Sequence, residues 1–255
     1  MTLKFNAKSH RYYLDGKPIK GVTTLLGSLN KPAIPYWAAK SVAEHVADHL
    51  DDLEAWGRMD RESLVAALKQ VPWTKRDKAA IRGTEIHALA EEIVHGREVE
   101  VPDHLLGFVQ GYVDFLDAFN VTPIATECSV GNREHYYAGR FDFIGTIDTE
   151  HDKGLTWLLD WKTSAGVYGE TGLQTAAYAR GEFYVTDDDA DTEIPMPHVD
   201  KIGVVHITES GTYLHELGPI NMSFDEFLHT AALTKSSDRR KSLVGDPISA
   251  KAAVA

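Results

Sequence analysis

The strongest constraint on how this chain can fold is a pair of strand-like runs, Tyr137–Gly145 and the apolar Leu155–Leu159, separated by the turn-rich segment Asp148-Thr149-Glu150-His151-Asp152-Lys153-Gly154. Runs this close, with polar and glycine residues between them, predict an antiparallel hairpin. The second run ends in Asp160-Trp161-Lys162. Side chains alternate along a strand, so Asp160 and Lys162 share one face and Trp161 points to the other. A turn centred near residues 151 and 152 sets Asp142 opposite the Asp160–Trp161 end. Two carboxylates and a lysine are therefore expected to converge. The same register sets Asp148 aside, because it falls beside Leu155 at the far end of the hairpin.

A helix is expected upstream. Over Arg82–Gly96, Ile86, Leu89, Ala90 and Ile93 form an apolar stripe, and Gly96 is placed to end the helix. His87 and Glu91 are four residues apart and so lie one turn apart on one face. An imidazole is then available to join Asp142, Asp160 and Lys162. A second reading of this region rests on Glu92-Ile93-Val94-His95 and Glu226-Phe227-Leu228-His229, both E-x-x-H on predicted helices as in carboxylate-bridged di-iron oxidases. Such a site needs four long helices and two further inward glutamates, whereas strands fill most of the interval here.

Taken in order, Gly83-Thr84-Glu85-Ile86-His87 with Glu91, then Glu127, Gly139-Arg140-Phe141-Asp142, Asp160-Trp161-Lys162-Thr163 and Gln174-Thr175-Ala176-Ala177-Tyr178 resemble the PD-(D/E)-x-K nuclease superfamily. Within it the resemblance is to the RecB-like branch, which includes phage-type exonucleases and CRISPR-associated RecB-like nucleases. Gly21–Leu26 and Ile34–Trp37 are similar to the opening of the phage members. The match spans roughly residues 10 to 210, and the order of five weak elements carries it. A catalytically silent relative that only binds DNA or protein would have no chemical need for Asp142, Asp160 and Lys162 together.

The resemblance implies a divalent-metal-dependent deoxyribonuclease, an exonuclease of DNA recombination, repair or phage DNA processing. Phosphodiester hydrolysis needs an activated water, neutralised phosphoryl oxygens and a stabilised leaving oxygen, which one or two ions held by carboxylates supply. Hard oxygen ligands favour Mg2+ or Mn2+, and an imidazole tilts the choice toward Mn2+. By resemblance, His87, Asp142, Asp160 and the Trp161 backbone carbonyl are metal ligands. Glu127 assists a second ion or a water, and Lys162 orients or helps deprotonate the attacking water. Gln174 and Tyr178 border the site, with Arg140, Lys75, Arg76 and Arg82 as substrate contacts. The partners implied are DNA and a single-strand-annealing or other recombination protein. Many RecB-like nucleases hold an iron–sulfur cluster with four cysteines; Cys128 is the one cysteine here, so no iron–sulfur cluster is expected.

A single cysteine also excludes an internal disulfide and, with no apolar stretch of membrane length and no basic-then-apolar leader pattern, suggests a cytoplasmic protein away from membranes. The net charge of −12 is unevenly spread. Residues 1–40 carry +6 (Lys4, Lys8, Arg11, Lys17, Lys20, Lys31 and Lys40 against Asp15), which leaves −18 for the rest. Interleaved with Phe5, Tyr12, Tyr13, Tyr36 and Trp37, those cations suit a DNA-gripping region that uses phosphate contacts and base stacking.

The fold class expected is α/β of the α+β kind. Its restriction-endonuclease-like core has a central mixed sheet flanked by helices and a helical N-terminal part. A hairpin at 11–19 precedes helices near 22–29, 35–50, 61–71, 76–95 and 104–119. Strands follow near 122–130, 137–148 and 155–161, then a helix at 168–183, strands near 201–208 and 211–217, and a helix near 224–234. Residues 1–235 are read as one nuclease domain, with the gripping hairpin and helices in 1–75 and the catalytic core in 76–220. The acidic stretch 187–193 is read as a solvated, mobile loop and 236–255 as a flexible tail.

Overall fold

The computed structural model describes residues 2–6 and 8–248. Its centre is the predicted hairpin. Strand β5 (Tyr137–Ile147) pairs antiparallel with β6 (Leu155–Lys162) in the register Phe143↔Leu159 to Ile147↔Leu155, which centres the turn on residue 151. Around this pair lie β4 (Thr122–Asn132), β7 (Phe183–Val185), β8 (Ile194–Pro195), β9 (Lys201–Thr208) and β10 (Gly211–Leu217), in the order β10-β9-β6-β5-β4-β7-β8. The β6–β9 pairing is parallel and the others are antiparallel, so the sheet is mixed. The protein is α+β, a seven-stranded mixed sheet flanked by helices with a helical N-terminal part.

The two central strands part at one point. The β5–β6 ladder stops at Phe143↔Leu159. Beyond it β5 continues on β4 as far as Asn132↔Tyr137, while β6 continues on β9 as far as Lys162↔His206. The sheet forks there, and Asp142 and Asp160 are the first residues past the last shared pair.

Two apolar layers close over the sheet. On one side α1 (Val22–Leu25), α6 (Glu170–Ala179) and α7 (Ile220–Lys235) bury Leu25, Ala176, Tyr178 and Phe227 against Phe141, Ile144 and Leu158. On the other, Ile86, Ala90, Phe108 and Tyr112 pack on Phe143, Trp157, Leu159 and Trp161. These last helical residues come from α4 (Arg61–Val94) and α5 (Leu106–Ala118). A small sheet, β1 (Leu3–Asn6), β2 (Arg11–Leu14) and β3 (Lys17–Ile19), docks Leu3, Leu14 and Ile19 on Ala138, Phe183 and Val185.

Several expected elements are revised. The helices near 61–71 and 76–95 are one 34-residue helix, α4, with Pro72 inside it. Proline removes one backbone hydrogen bond. Here its ring is buried, and the Asp60 side chain starts the helix by accepting the Ser63 N–H at 2.9 Å. The helix near 35–50 begins earlier, as α2 (Ala33–Asp48), and α3 (Leu53–Gly57) follows it. The helix expected over 168–183 ends at Ala179 because residues 183–185 pair with β4. Within the segment read as a tail, α8 (Ser237–Lys241) forms one short helix, and residues 249–255 of that segment lie outside the described residues. Among the described residues no helix is long and apolar enough to cross a membrane.

Candidate metal centre

The fork brings together side chains from four elements. The pairs Thr126↔Phe143 and Cys128↔Phe141 flank Glu127 and put it opposite Asp142. Asp142 in turn lies across from Asp160, so Glu127, Asp142 and Asp160 form a row across β4, β5 and β6. Glu127 reaches its place with φ at +48°, in the left-handed region that costs a non-glycine residue about 1–3 kcal/mol. Strain of that size persists only where the surroundings impose it. In that place its Oε2 accepts from Arg140 Nε at 2.8 Å.

His87 enters from α4, which can approach because residue 83 is glycine; a Cβ there would stand 3.1 Å from Thr163 Oγ1. Its Nε2 lies 2.9 Å from the Trp161 carbonyl oxygen. A carbonyl can only accept, so Nε2 carries the proton and Nδ1 presents its lone pair. Nδ1 faces Asp142 Oδ2 at 3.9 Å and Glu127 Oε1 at 4.0 Å. An imidazole tethered through one nitrogen to a backbone carbonyl, with the other nitrogen aimed among carboxylates, is the arrangement that metal-binding histidines use. Burial pulls the His87 pKa down, against the neighbouring carboxylates that push it up, so the ring is neutral and free to ligate near neutral pH.

The three ligand atoms offered by His87, Glu127 and Asp142 lie within 4.8 Å of one another, close enough to hold one metal ion. This set differs from the expected His87, Asp142, Asp160 and Trp161 carbonyl. Glu127, expected at a second ion or a water, joins the first group, and the Trp161 carbonyl instead holds His87. Asp160 sits beside that group, 3% exposed. Its Oδ1 accepts from Gln174 Nε2 at 2.8 Å. Its Oδ2 has the Lys162 ammonium 2.6 Å away, at an angle outside that of a regular hydrogen bond, which leaves this buried oxygen able to take a further partner.

Charge follows from crowding. Burial, then Asp160 and Glu127, drives the Asp142 carboxyl well above the usual carboxylate range, although the Trp161 N–H donates to its Oδ2 at 2.6 Å. Burial alone would lower the Lys162 pKa; the Asp160 carboxylate outweighs it and the net shift is upward. Lys162 therefore holds its proton. Glu91, on the His87 face of α4, is raised by partial burial and by Glu127.

The remaining expected contacts fall differently. Tyr178 is buried at 3% exposure, its ring lying where a Cβ on Gly139 would be. It is a core residue, closed to substrate. Gln174 borders the site by donating to Asp160. Arg140 is occupied by acids of the chain itself: besides Glu127, it grips both oxygens of Asp187 at 2.8 and 3.0 Å. Asp187 thereby ties the start of the acidic stretch to the site, and Glu193 anchors its end on Arg133; the stretch is solvated as expected, with Asp188, Asp189 and Asp191 exposed, but it is pinned at both ends where mobility was expected. Lys75 pairs with Glu44, and Arg76 with Asp77. Arg82 lies over the Phe108 ring at 5.4 Å and is exposed. Cys128 is buried, as its small apolar character suggests. The two E-x-x-H segments lie against opposite apolar layers of the sheet, with Glu226 and His229 exposed, and do not share a site.

The Asp187 clamp escaped sequence reasoning, since 47 residues separate it from Arg140. The left-handed Glu127 escaped it too. No family model matches the chain, and no curated protein does. Among solved structures the chain is similar to the crystal structure of SSO0001, at 18% identity over 85% of this chain and 89% of that one, with a TM-score of 0.30. A likeness at that level carries no argument about fold or activity.

Proposed function

We propose that this protein is a divalent-metal-dependent deoxyribonuclease of the PD-(D/E)-x-K type, acting as an exonuclease with Mg2+ or Mn2+. The observation that carries this reading is the convergence of His87, Glu127, Asp142, Asp160 and Lys162 at the fork. Five residues spread over 76 positions of sequence meet in one place, in a row that leaves carboxylates crowded at a cost in stability. A bound divalent ion would lower the pKa of an attacking water and neutralise phosphoryl charge. His87 Nδ1, Glu127 and Asp142 are the residues to hold it, with the spare Asp160 Oδ2 beside them.

The chain's own groups complete the chemistry. Lys162, kept protonated by Asp160, offers a fixed positive charge to the phosphoryl oxygens rather than a base. Gln174 holds the Asp160 carboxylate so that its other oxygen stays turned toward Lys162. Arg140 holds Glu127 in place through the hydrogen bond from its Nε. Preorganised charge of this kind needs no rearrangement during reaction.

The test is incubation of the purified protein with end-labelled linear and closed circular DNA in Mg2+, Mn2+ or chelator. Degradation of linear DNA alone, dependent on metal and lost in Asp160→Asn, is the expected result. Cleavage by Asp160→Asn at near wild-type rate, or no metal-dependent cleavage by the wild type, would overturn the reading.

A further inference from the structure

The row of acids at the fork does not end at β4. Strand β7 pairs with β4 as Gly131↔Phe183, Val130↔Tyr184 and Ser129↔Val185, so two further steps along the same register put Asp187 across from Glu127. Arg140, on β5 opposite Ser129, bonds to both acids. Its Nε donates to Glu127 Oε2 at 2.8 Å, while Nη1 and Nη2 donate to Asp187 Oδ1 and Oδ2 at 2.8 and 3.0 Å. That leaves Glu127 Oε1, the oxygen 4.0 Å from His87 Nδ1.

A guanidinium offered a carboxylate grips it best with two parallel N–H bonds. With its Nη pair free, Arg140 could turn onto Glu127 and take both oxygens, and a carboxylate spent in that way has none to give an ion. Asp187 fills the Nη pair first. Its side chain is 71% exposed, so this grip, and not packing, is what the carboxylate contributes. We propose that Asp187 is a positioning residue for the metal centre: it occupies the fork of Arg140 so that Glu127 keeps Oε1 for the ion. The proposal rests on the metal-dependent reading given above. It adds to His87, Glu127 and Asp142 a residue whose own oxygens are both taken by Arg140 and which acts through that side chain alone.

The test is calorimetric titration of Mn2+ into the full-length protein without DNA. Outer partners of metal ligands set affinity by roughly 10- to 100-fold, and Asp187→Ala should bind Mn2+ more weakly than the wild type by that factor. Asp187→Glu, which can still fill the fork, should keep most of the affinity. Two controls separate positioning from charge and from tethering. Asp188→Ala removes the same charge from the exposed neighbour, and Glu193→Ala frees the other end of the acidic stretch from Arg133; neither should change Mn2+ affinity. The proposal is overturned if Asp187→Ala binds Mn2+ as the wild type does, if either control loses as much, or if Asp187→Glu is as weak as Asp187→Ala. Unchanged Mn2+ affinity with tighter DNA binding in Asp187→Ala would overturn it too, since Asp187 would then shield Arg140 from phosphate and position nothing. Mn2+ binding that is independent of Asp187 removes the proposal and leaves the metal reading standing, whereas a wild type that binds no Mn2+ removes both. Mn2+ binding that depends on Asp187, without cleavage of DNA, would keep the positioning role and remove the nuclease reading.

Discussion

Replacing Asp142 by asparagine should make the metal-free protein more stable and the metal-loaded protein less able to benefit from its ion. Asparagine keeps the shape and can still accept the Trp161 N–H that now reaches Asp142 Oδ2. It removes one of three carboxylates in the row. The Asp142 pKa is raised by burial and then by Asp160 and Glu127, above the value of about 3.9 for an unfolded carboxyl. A group held protonated more tightly in the native state contributes stability that is complete below its unfolded pKa and is lost as pH rises through its folded pKa. The variant does not titrate there. In chelator, its advantage over wild type should therefore be absent at low pH and grow toward neutral and above. Adding Mn2+ reverses the order: an ion at 100 times its Kd stabilises the native state by about 2.7 kcal/mol. In a protein of this size that is a rise in Tm of about 5–11 °C. Thermal unfolding at about pH 5 and about pH 8, with chelator or a Mn2+ titration, measures both arms. Equal Mn2+ shifts in the two proteins would mean that the carboxylate row is not a metal site, and a variant less stable than wild type in chelator at both pH values would mean that it is not crowded.

Lys162→Ala should lower the cleavage rate at least ~10²-fold while leaving the Mn2+-induced rise in Tm intact, because its charge acts on substrate and not on the ion; DNA affinity falling in step with rate would make it a phosphate anchor instead. Gly139→Ala should lower stability by about 1–3 kcal/mol, read as a shift in the urea midpoint, because the new methyl meets the buried Tyr178 ring. An unchanged midpoint would mean that ring can move aside. Alanine at Lys4, Lys8, Arg11 and Lys17 should flatten the salt dependence of DNA binding by roughly one unit of slope for each phosphate that is no longer neutralised; an unchanged slope would make these cations ordinary solvated surface.

The hairpin was legible because its information is local: a turn of known centre fixes the register, and register alone prefers Asp142 to Asp148. Asp148 indeed sits in the turn, its Oδ1 accepting the Gly154 N–H at 3.3 Å. The face of α4 that carries His87 was legible for the same reason, as helical period. What could not be read depends on where distant segments stop pairing. Nothing in residues 137–162 says that β5 leaves β6 after Phe143, yet that fork is what opens the site. Nor does any local pattern assign Arg140 to Asp187 or turn Tyr178 inward onto Gly139. Pro72 misled for a simpler reason: proline ends or kinks most helices, and here it lies buried inside α4 instead.

The unbroken run of α4 makes it a lever with unequal arms. Taken as a pivot, its packed end at buried Ile86 stands about 20 Å from the exposed Trp73. A tilt of about 5° about that pivot would swing Trp73 by about 1.7 Å and His87 by only about 0.1 Å. The helix thus divides any swaying of its outer part by more than tenfold before it reaches the imidazole. Whatever pulls on the outer arm can shift through ordinary thermal distances while the ring that faces Asp142 and Glu127 stays in register with them.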